Sequence, residues 1–145
     1  NPFQMDTRTN RLMGKTLEII HNKSTENAVN ALSQRNIAFD RGFSEFAPES
    51  TDITRATHSS ITSLITLPKG FPVDSSTLME IASQYGICIE SLEIYLPRNL
   101  PLSEEMQKLS DRNFRISVGQ MSAQKVYNGA RDLGNAMRET QKVYG

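Results

Sequence analysis

Apolar residues recur in this chain with two periods, and each predicts elements. The stretch "GICIESLEIYLP", Gly86 to Pro97, alternates Ile87 and Ile89 with Cys88 and Glu90, then Leu92, Ile94 and Leu96 with Glu93 and Tyr95. Alternation is the signature of a strand. The two series have opposite parity. The pattern therefore predicts either a bulge near Glu90–Ser91, which returns both series to one face, or a strand covered on both faces. "SSITSLITLP" predicts a second strand from Ser60 to Leu67, and "FRISV", Phe114 to Val118, a brief third. In "IAFDRGF", Ile37, Phe39 and, after a slip at Gly42, Phe43 read as a strand bent at the glycine.

The helical period appears elsewhere. Ala28, Val29, Ala31 and Leu32 give a helix over Thr25–Arg35, capped by Ser24 or Thr25 and ended by Asn36, which tolerates a left-handed backbone. Leu78, Met79, Ala82 and Tyr85 give a helix that starts at Asp74 or Ser75 and stops at Gly86. Ser103, followed by Glu104 and Glu105, opens a short helix. The longest stripe is Val126, Ala130, Leu133 and Met137, at i, i+4, i+7 and i+11, on a helix from Met121 to Val143. Gly129, Gly134 and Ala136 on that helix permit close approach of another element. Residues 1–15 read as a short N-terminal helical segment. "TLEIIHN", Thr16 to Asn22, fits either a continuation of that helix or a strand. Ser44 to His58 is polar and reads as a long mobile connection.

Taking Thr16–Asn22 as a strand exposes an internal similarity. "TLEIIHNKSTENAVNALSQRNIAF" and "SLITLPKGFPVDSSTLMEIASQYGICI" each run strand, polar turn, capped helix, strand. Two β-α-β halves in sequence give the ferredoxin-like βαββαβ arrangement, an antiparallel sheet with helices on one face. The expectation is one α+β domain over residues 1–145. Its core is residues 16–97, and residues 98–145 form a C-terminal helical extension that ends in the long helix. If Thr16–Asn22 is helical, the sheet has three strands.

Charge refines this picture only slightly. Sixteen basic and sixteen acidic residues leave a formal net charge of zero. The first 23 residues carry four basic and two acidic side chains, residues 24–97 four and nine, and residues 98–145 eight and five. The ends are mildly basic and the middle mildly acidic. No dense Lys/Arg cluster marks a nucleic-acid surface. The single cysteine, Cys88, excludes an internal disulfide and leans towards a reducing, cytoplasmic compartment. No apolar run approaches the length of a membrane helix, which predicts a soluble chain without a spanning segment.

Candidate chemistry is sparse. "MGKT" ends like a phosphate-binding loop, but Thr9 stands where that loop needs a glycine. "SAQK" has Ser-x-x-Lys spacing without the partner motifs of a Ser-Lys hydrolase. Cys88 lies between Ile87 and Ile89, as a small buried hydrophobe does. With His21 and His58 it gives no metal-ligand spacing. Glu90 and Glu93 read as solvent-facing. The strand in "SSITSLITLP" has no aromatic residue to stack RNA bases, which leaves Phe39, Phe43 and Phe46 as the candidates, with Phe39 reading as core.

The sequence thus points to no catalytic residues, cofactor or metal. It points to a non-enzymatic interaction or assembly module, such as a component of a viral, phage or bacterial multiprotein structure, with a protein partner or self-association. Val126, Ala130, Leu133 and Met137 are the residues expected to carry its helix packing, intra- or intermolecular. The alternative is nucleic-acid binding through the basic C-terminal segment, using Arg112, Arg115, Lys125, Arg131 and Arg138. A second alternative is an enzyme with a site on the 44–58 loop, using His58 with Glu49 and Asp52.

Overall fold

A computed structural model describes residues 7–84, 89–92, 101, 103–119 and 121–145. In chain order the elements are α1 (Thr7–Phe46), β1 (Asp52–Thr54), β2 (Thr62–Thr66), α2 (Ser75–Gln84), β3 (Glu90–Ser91), α3 (Glu104–Arg112), β4 (Asn113–Ser117) and α4 (Ala123–Tyr144). The fold is α+β. Three short strands form an antiparallel sheet in the order β1-β2-β4, and the two-residue β3 pairs along the outer side of β4.

Local chemistry explains most of the element boundaries. Asp74 Oδ1 accepts from the Thr77 N–H at 2.8 Å, which caps α2. Ser103 and Ser122 cap α3 and α4 through their hydroxyls, which accept from the Met106 and Lys125 N–H groups. Between β2 and α2, Gly70 has φ of +81°, and the Phe71 N–H donates to the Pro68 carbonyl at 3.0 Å. That is a type II turn, in which glycine supplies the positive φ. The α3–β4 junction has no loop at all. It is held by the Leu67 N–H on the Arg112 carbonyl at 2.7 Å and by the Ser75 hydroxyl on the Ser110 carbonyl at 2.6 Å.

The pleat divides the sheet cleanly. Ile53, Ser63, Ile65, Phe114 and Ile116 share one face by register, and the last four of these are buried. They join one core cluster with Leu78 and Ala82 of α2, Phe39 and Phe43 of α1, and Val126, Ala130, Leu133 and Met137 of α4. The closest helix contact is between α1 and α4, where two glycines face the opposing backbone. A Cβ on Gly42 would lie 2.7 Å from the Tyr127 carbonyl oxygen. A Cβ on Gly134 would lie 2.7 Å from the Ala47 nitrogen and 2.8 Å from the Phe46 carbonyl carbon. Neither position has room for a side chain.

The βαββαβ core of residues 16–97 is not formed among the described residues. Thr16–Asn22 and Ile37–Phe43 both lie inside the 40-residue helix α1. The period decides it: Leu32, Asn36, Phe39 and Phe43 are spaced as one helix face, with Phe39 and Phe43 stacked at 5.1 Å, whereas Ile37 is 49% exposed. Asn36 therefore does not end a helix, and Gly42 bends no strand. The polar stretch after residue 44 contains the end of α1 and the whole of β1. The strand read at Phe114–Val118, assigned to the extension, sits in the sheet between β2 and β3. Of "GICIESLEIYLP", only Ile89 to Leu92 are described, and Ile89 is buried. Cys88, Gly86 and the Glu93–Pro97 segment lie outside the described residues.

Two glycines on α4 give opposite expectations. Gly134→Ala is expected to cost about 1–3 kcal/mol, because backbone atoms of α1 must move to admit the methyl group. Gly129→Ala meets nothing within 4 Å and is expected to add up to about 1 kcal/mol through helix propensity. Urea denaturation of the two variants checks both signs.

Candidate functional site

The hairpin β1–β2 is tied to α1 by two polar contacts. Asn36, 2% exposed, donates through Nδ2 to the carbonyls of His58 and Ser60, both at 2.9 Å. Arg55 reaches Asp40 with both terminal nitrogens, at 2.7 and 2.5 Å, and donates from Nε to the Ser63 hydroxyl at 2.6 Å. Ser63 is a polar residue on the core face of β2, and Arg55 satisfies it. A fork-shaped cation suits this position because it serves three oxygens at once. These residues fix the sheet against the helical layer.

With that face covered, the other face of the sheet is the one left for a ligand. By register it carries Asp52 and Thr54 of β1, Thr62, Leu64 and Thr66 of β2, and Asn113, Arg115 and Ser117 of β4. The Thr66 hydroxyl donates to Asn113 Oδ1 at 2.6 Å, which closes one end of the row. Arg115 stands mid-row, level with Leu64 on one side and Glu90 on the other. Its Nε and Nη2 both donate to Glu90 Oε2, at 3.0 and 2.7 Å. The side chains of Arg115 and Glu90 are 36% and 51% exposed, so the pair is open to water. Chemically, this is a guanidinium on a rigid strand, among hydroxyls and one leucine, already holding a carboxylate.

The residues expected to carry helix packing, Val126, Ala130, Leu133 and Met137, are at most 3% exposed and face α1 and the core cluster of their own chain. Four of the cations considered for nucleic acid have partners within the chain. Arg112 donates to the Leu67 carbonyl, Arg115 to Glu90, Arg131 to Asp132 and Arg138 to the Ala47 carbonyl. Lys125 is exposed in the first turn of α4, on the layer that covers the opposite face of the sheet from Arg115. The 44–58 trio is not brought together. Asp52 opens β1, His58 lies in the turn beyond the other end of that strand, and Glu49 sits in a shallow cleft with Arg138 and Lys142. Among the described residues, no group of three His, Cys, Asp or Glu side chains is placed to hold a metal ion. No described helix is long and apolar enough to cross a membrane.

No family model matches the chain, and no curated protein matches its sequence. Solved structures do match its fold. LysN, an α-aminoadipate aminotransferase from Thermus thermophilus crystallised with N-(5′-phosphopyridoxyl)-L-leucine, superposes on 91% of this chain with a TM-score of 0.69 and 15% identity. The likeness is one of fold. A multiple substrate aminotransferase from Thermococcus profundus covers 75% of the chain, with a TM-score of 0.59 and 20% identity. A kynurenine aminotransferase from Pyrococcus horikoshii covers 76%, with a TM-score of 0.59 and 21% identity. The chain spans about a third of the first of these proteins, 31%, and 24% of the other two.

The pyridoxyl ligand of LysN allows one further test. A pyridoxal cofactor is held as an imine on a lysine in a closed site. All six lysines of this chain, Lys15, Lys23, Lys69, Lys108, Lys125 and Lys142, are exposed. The described residues therefore do not fit such a cofactor.

In the sequence Arg115 stands out only as one of five cations. Its strand is visible there, but its face and its pairing with Glu90 follow from sheet register. Arg55 and Asn36 leave no separate signal. Arg55→Ala is expected to lower stability by about 1–3 kcal/mol, since it leaves Ser63 and Asp40 without their donor. Arg55→Lys should recover only part of this, because an ammonium cannot serve three oxygens in that fork. Thermal denaturation of the two variants checks the order.

Proposed function

We propose that the chain forms the smaller, substrate-facing domain of an aminotransferase-type protein, with the cofactor held by other polypeptide. The superposition of LysN on 91% of the chain, at a TM-score of 0.69, carries this reading. Two features of the domain support it. Its lysines do not fit the cofactor, as expected of a part that does not hold it. Its open sheet face presents Arg115 among hydroxyls, and every amino acid or oxo acid brings a carboxylate. Guanidinium and carboxylate match in charge and geometry.

The guanidinium already grips one carboxylate, that of Glu90, from the open side. An ion pair this exposed is worth about 0–1 kcal/mol, so an incoming carboxylate displaces or shares with Glu90 at little cost. The role assigned to Arg115 is to fix the substrate carboxylate. Thr62, Leu64 and Ser117 would line the path of the remainder of the substrate.

The assembly reading keeps one specific observation in its favour, a bare apolar side on α1. That surface is separate from the open sheet face.

Titration of the chain with L-leucine and with its oxo acid, followed by amide NMR, tests the carboxylate site. Shifts are expected at Thr62, Leu64, Arg115 and Ser117 at millimolar ligand. Arg115→Gln should abolish them, and Glu90→Gln should strengthen binding severalfold by removing the competing carboxylate. An unperturbed open face would sink the assignment.

A further inference from the structure

The open face of the sheet is closed at one end of β4. Asn113, Arg115 and Ser117 share that face by register, yet Asn113 is 8% exposed, Arg115 is partly exposed and Ser117 is exposed. Asn113 is also where α3 passes into β4 with no residue between them. Its backbone is already extended, with φ of −128° and ψ of 146°. Its side chain serves both elements. Nδ2 donates to the Leu109 carbonyl at 2.7 Å, and Oδ1 accepts from the Thr66 hydroxyl at 2.6 Å. In an uninterrupted helix the Leu109 carbonyl would take the backbone N–H of residue 113. The amide thus adds a donor at the last turn of α3 and an acceptor towards β2.

The strand carries this to Arg115, two residues on. Phe114 and Ile116 are buried in the core, and they fix parity, so Arg115 faces the open side. Parity and backbone bonding alone are met equally well after a slip of two residues, because side chains and ladder both repeat with that period. The Leu67 N–H on the Arg112 carbonyl is a backbone bond of this kind. A slip of two would set Arg115 level with Thr62 or Thr66, about 6.8 Å from its place beside Leu64. Asn113 distinguishes these registers. The slip would set it opposite Leu64 or Pro68, and neither side chain has a donor for Oδ1. Only Thr66 supplies one.

We infer that Asn113, through Thr66, is a positioning residue for Arg115. It pins the start of β4 to β2 and to the end of α3, and so places the guanidinium where a carboxylate meets it. The benefit to ligand binding rests on the carboxylate reading above, whereas the pinning of β4 does not.

Two substitutions at Thr66 test it in the full chain. Thr66→Val keeps the branched shape of a half-buried side chain and removes only the hydroxyl, whereas Thr66→Ser keeps the hydroxyl. Amide hydrogen exchange at residues 114–117 should speed up about tenfold in Thr66→Val, with exchange at α4 unchanged, and Thr66→Ser should match the parent. L-Leucine, titrated by amide NMR, should bind Thr66→Val about fivefold more weakly and Thr66→Ser as it binds the parent. Asn113→Asp should loosen the last turn of α3 as well, because Leu109 loses its donor. A role confined to ending the helix predicts faster exchange in α3 alone, with residues 114–117 and L-leucine affinity unmoved, and that result overturns the inference. Equal effects of valine and serine at Thr66 overturn it too. A parent chain that ignores L-leucine removes the carboxylate reading, and exchange at residues 114–117 then decides the positioning by itself.

Discussion

The close approach of α1 and α4 is the constraint on which the rest of this domain depends. Gly42 and Gly134 let the two backbones meet with no side chain between them. That contact sets how deeply Phe39 and Phe43 enter the core, and so where Val126, Ala130, Leu133 and Met137 can reach them. It also fixes α1 as the element against which the hairpin is tied. Asn36 holds the His58 and Ser60 carbonyls, and Arg55 crosses from the hairpin to Asp40. If the helices moved apart by the width of a methyl group, the polar ties would lengthen with them. Hydrogen bonds lose most of their value over such a change, whereas apolar contacts only weaken. The glycines therefore act on the sheet through the polar ties as much as through packing.

Five elements could be read from local chemistry because local chemistry decides them. The caps at Asp74 and Ser103 stand at residues that the sequence offers for them, α4 begins within two residues of its expected start, and β2 and β4 follow uncharged or alternating runs. The second half of α1 could not be read this way, for a physical reason. Ile37, Phe39 and Phe43 support a strand pattern if Gly42 is allowed a slip, and equally a helix if Asn36 is counted with the apolar face. Asn36 does belong on that face, because its partners are two carbonyls on a hairpin more than twenty residues away. Nothing near Asn36 in the sequence announces them. The candidate site was legible only as a type of residue. Arg115 became particular when β4 settled between β2 and β3, which put Leu64 and Glu90 on either side of it.

The sheet divides its labour by face. On the covered side β2 contributes the polar Ser63, and Arg55 answers it. On the other side the row is hydroxyls, an amide, the carboxylates of Asp52 and Glu90, and Arg115, with Leu64 as the apolar residue of β2. A strand only five residues long can serve both faces because the side-chain period is two. Phe114 and Ile116 anchor β4 in the core, and Arg115, placed between them, is held rigidly without being buried. Such a cation has its backbone fixed by packing and its charge left in water. Neutralising it with a ligand therefore disturbs nothing beneath the sheet, and Glu90 already makes the same contact from within the chain.

Helix α1 is the element that this division does not explain. Its apolar side changes along its length, from one stripe that meets α4 and the core to another that faces the opposite way. A helix that served only its own domain would keep one stripe, since any large apolar residue off that stripe is left in water. Leu12, Met13, Leu17, Ile19 and Ile20 are five such residues within nine positions, and burying each is worth about 1.5–3 kcal/mol. The face that carries Arg115 lies across the sheet from the helical layer to which α1 belongs, so whatever covers the apolar arc of α1 does so away from Arg115.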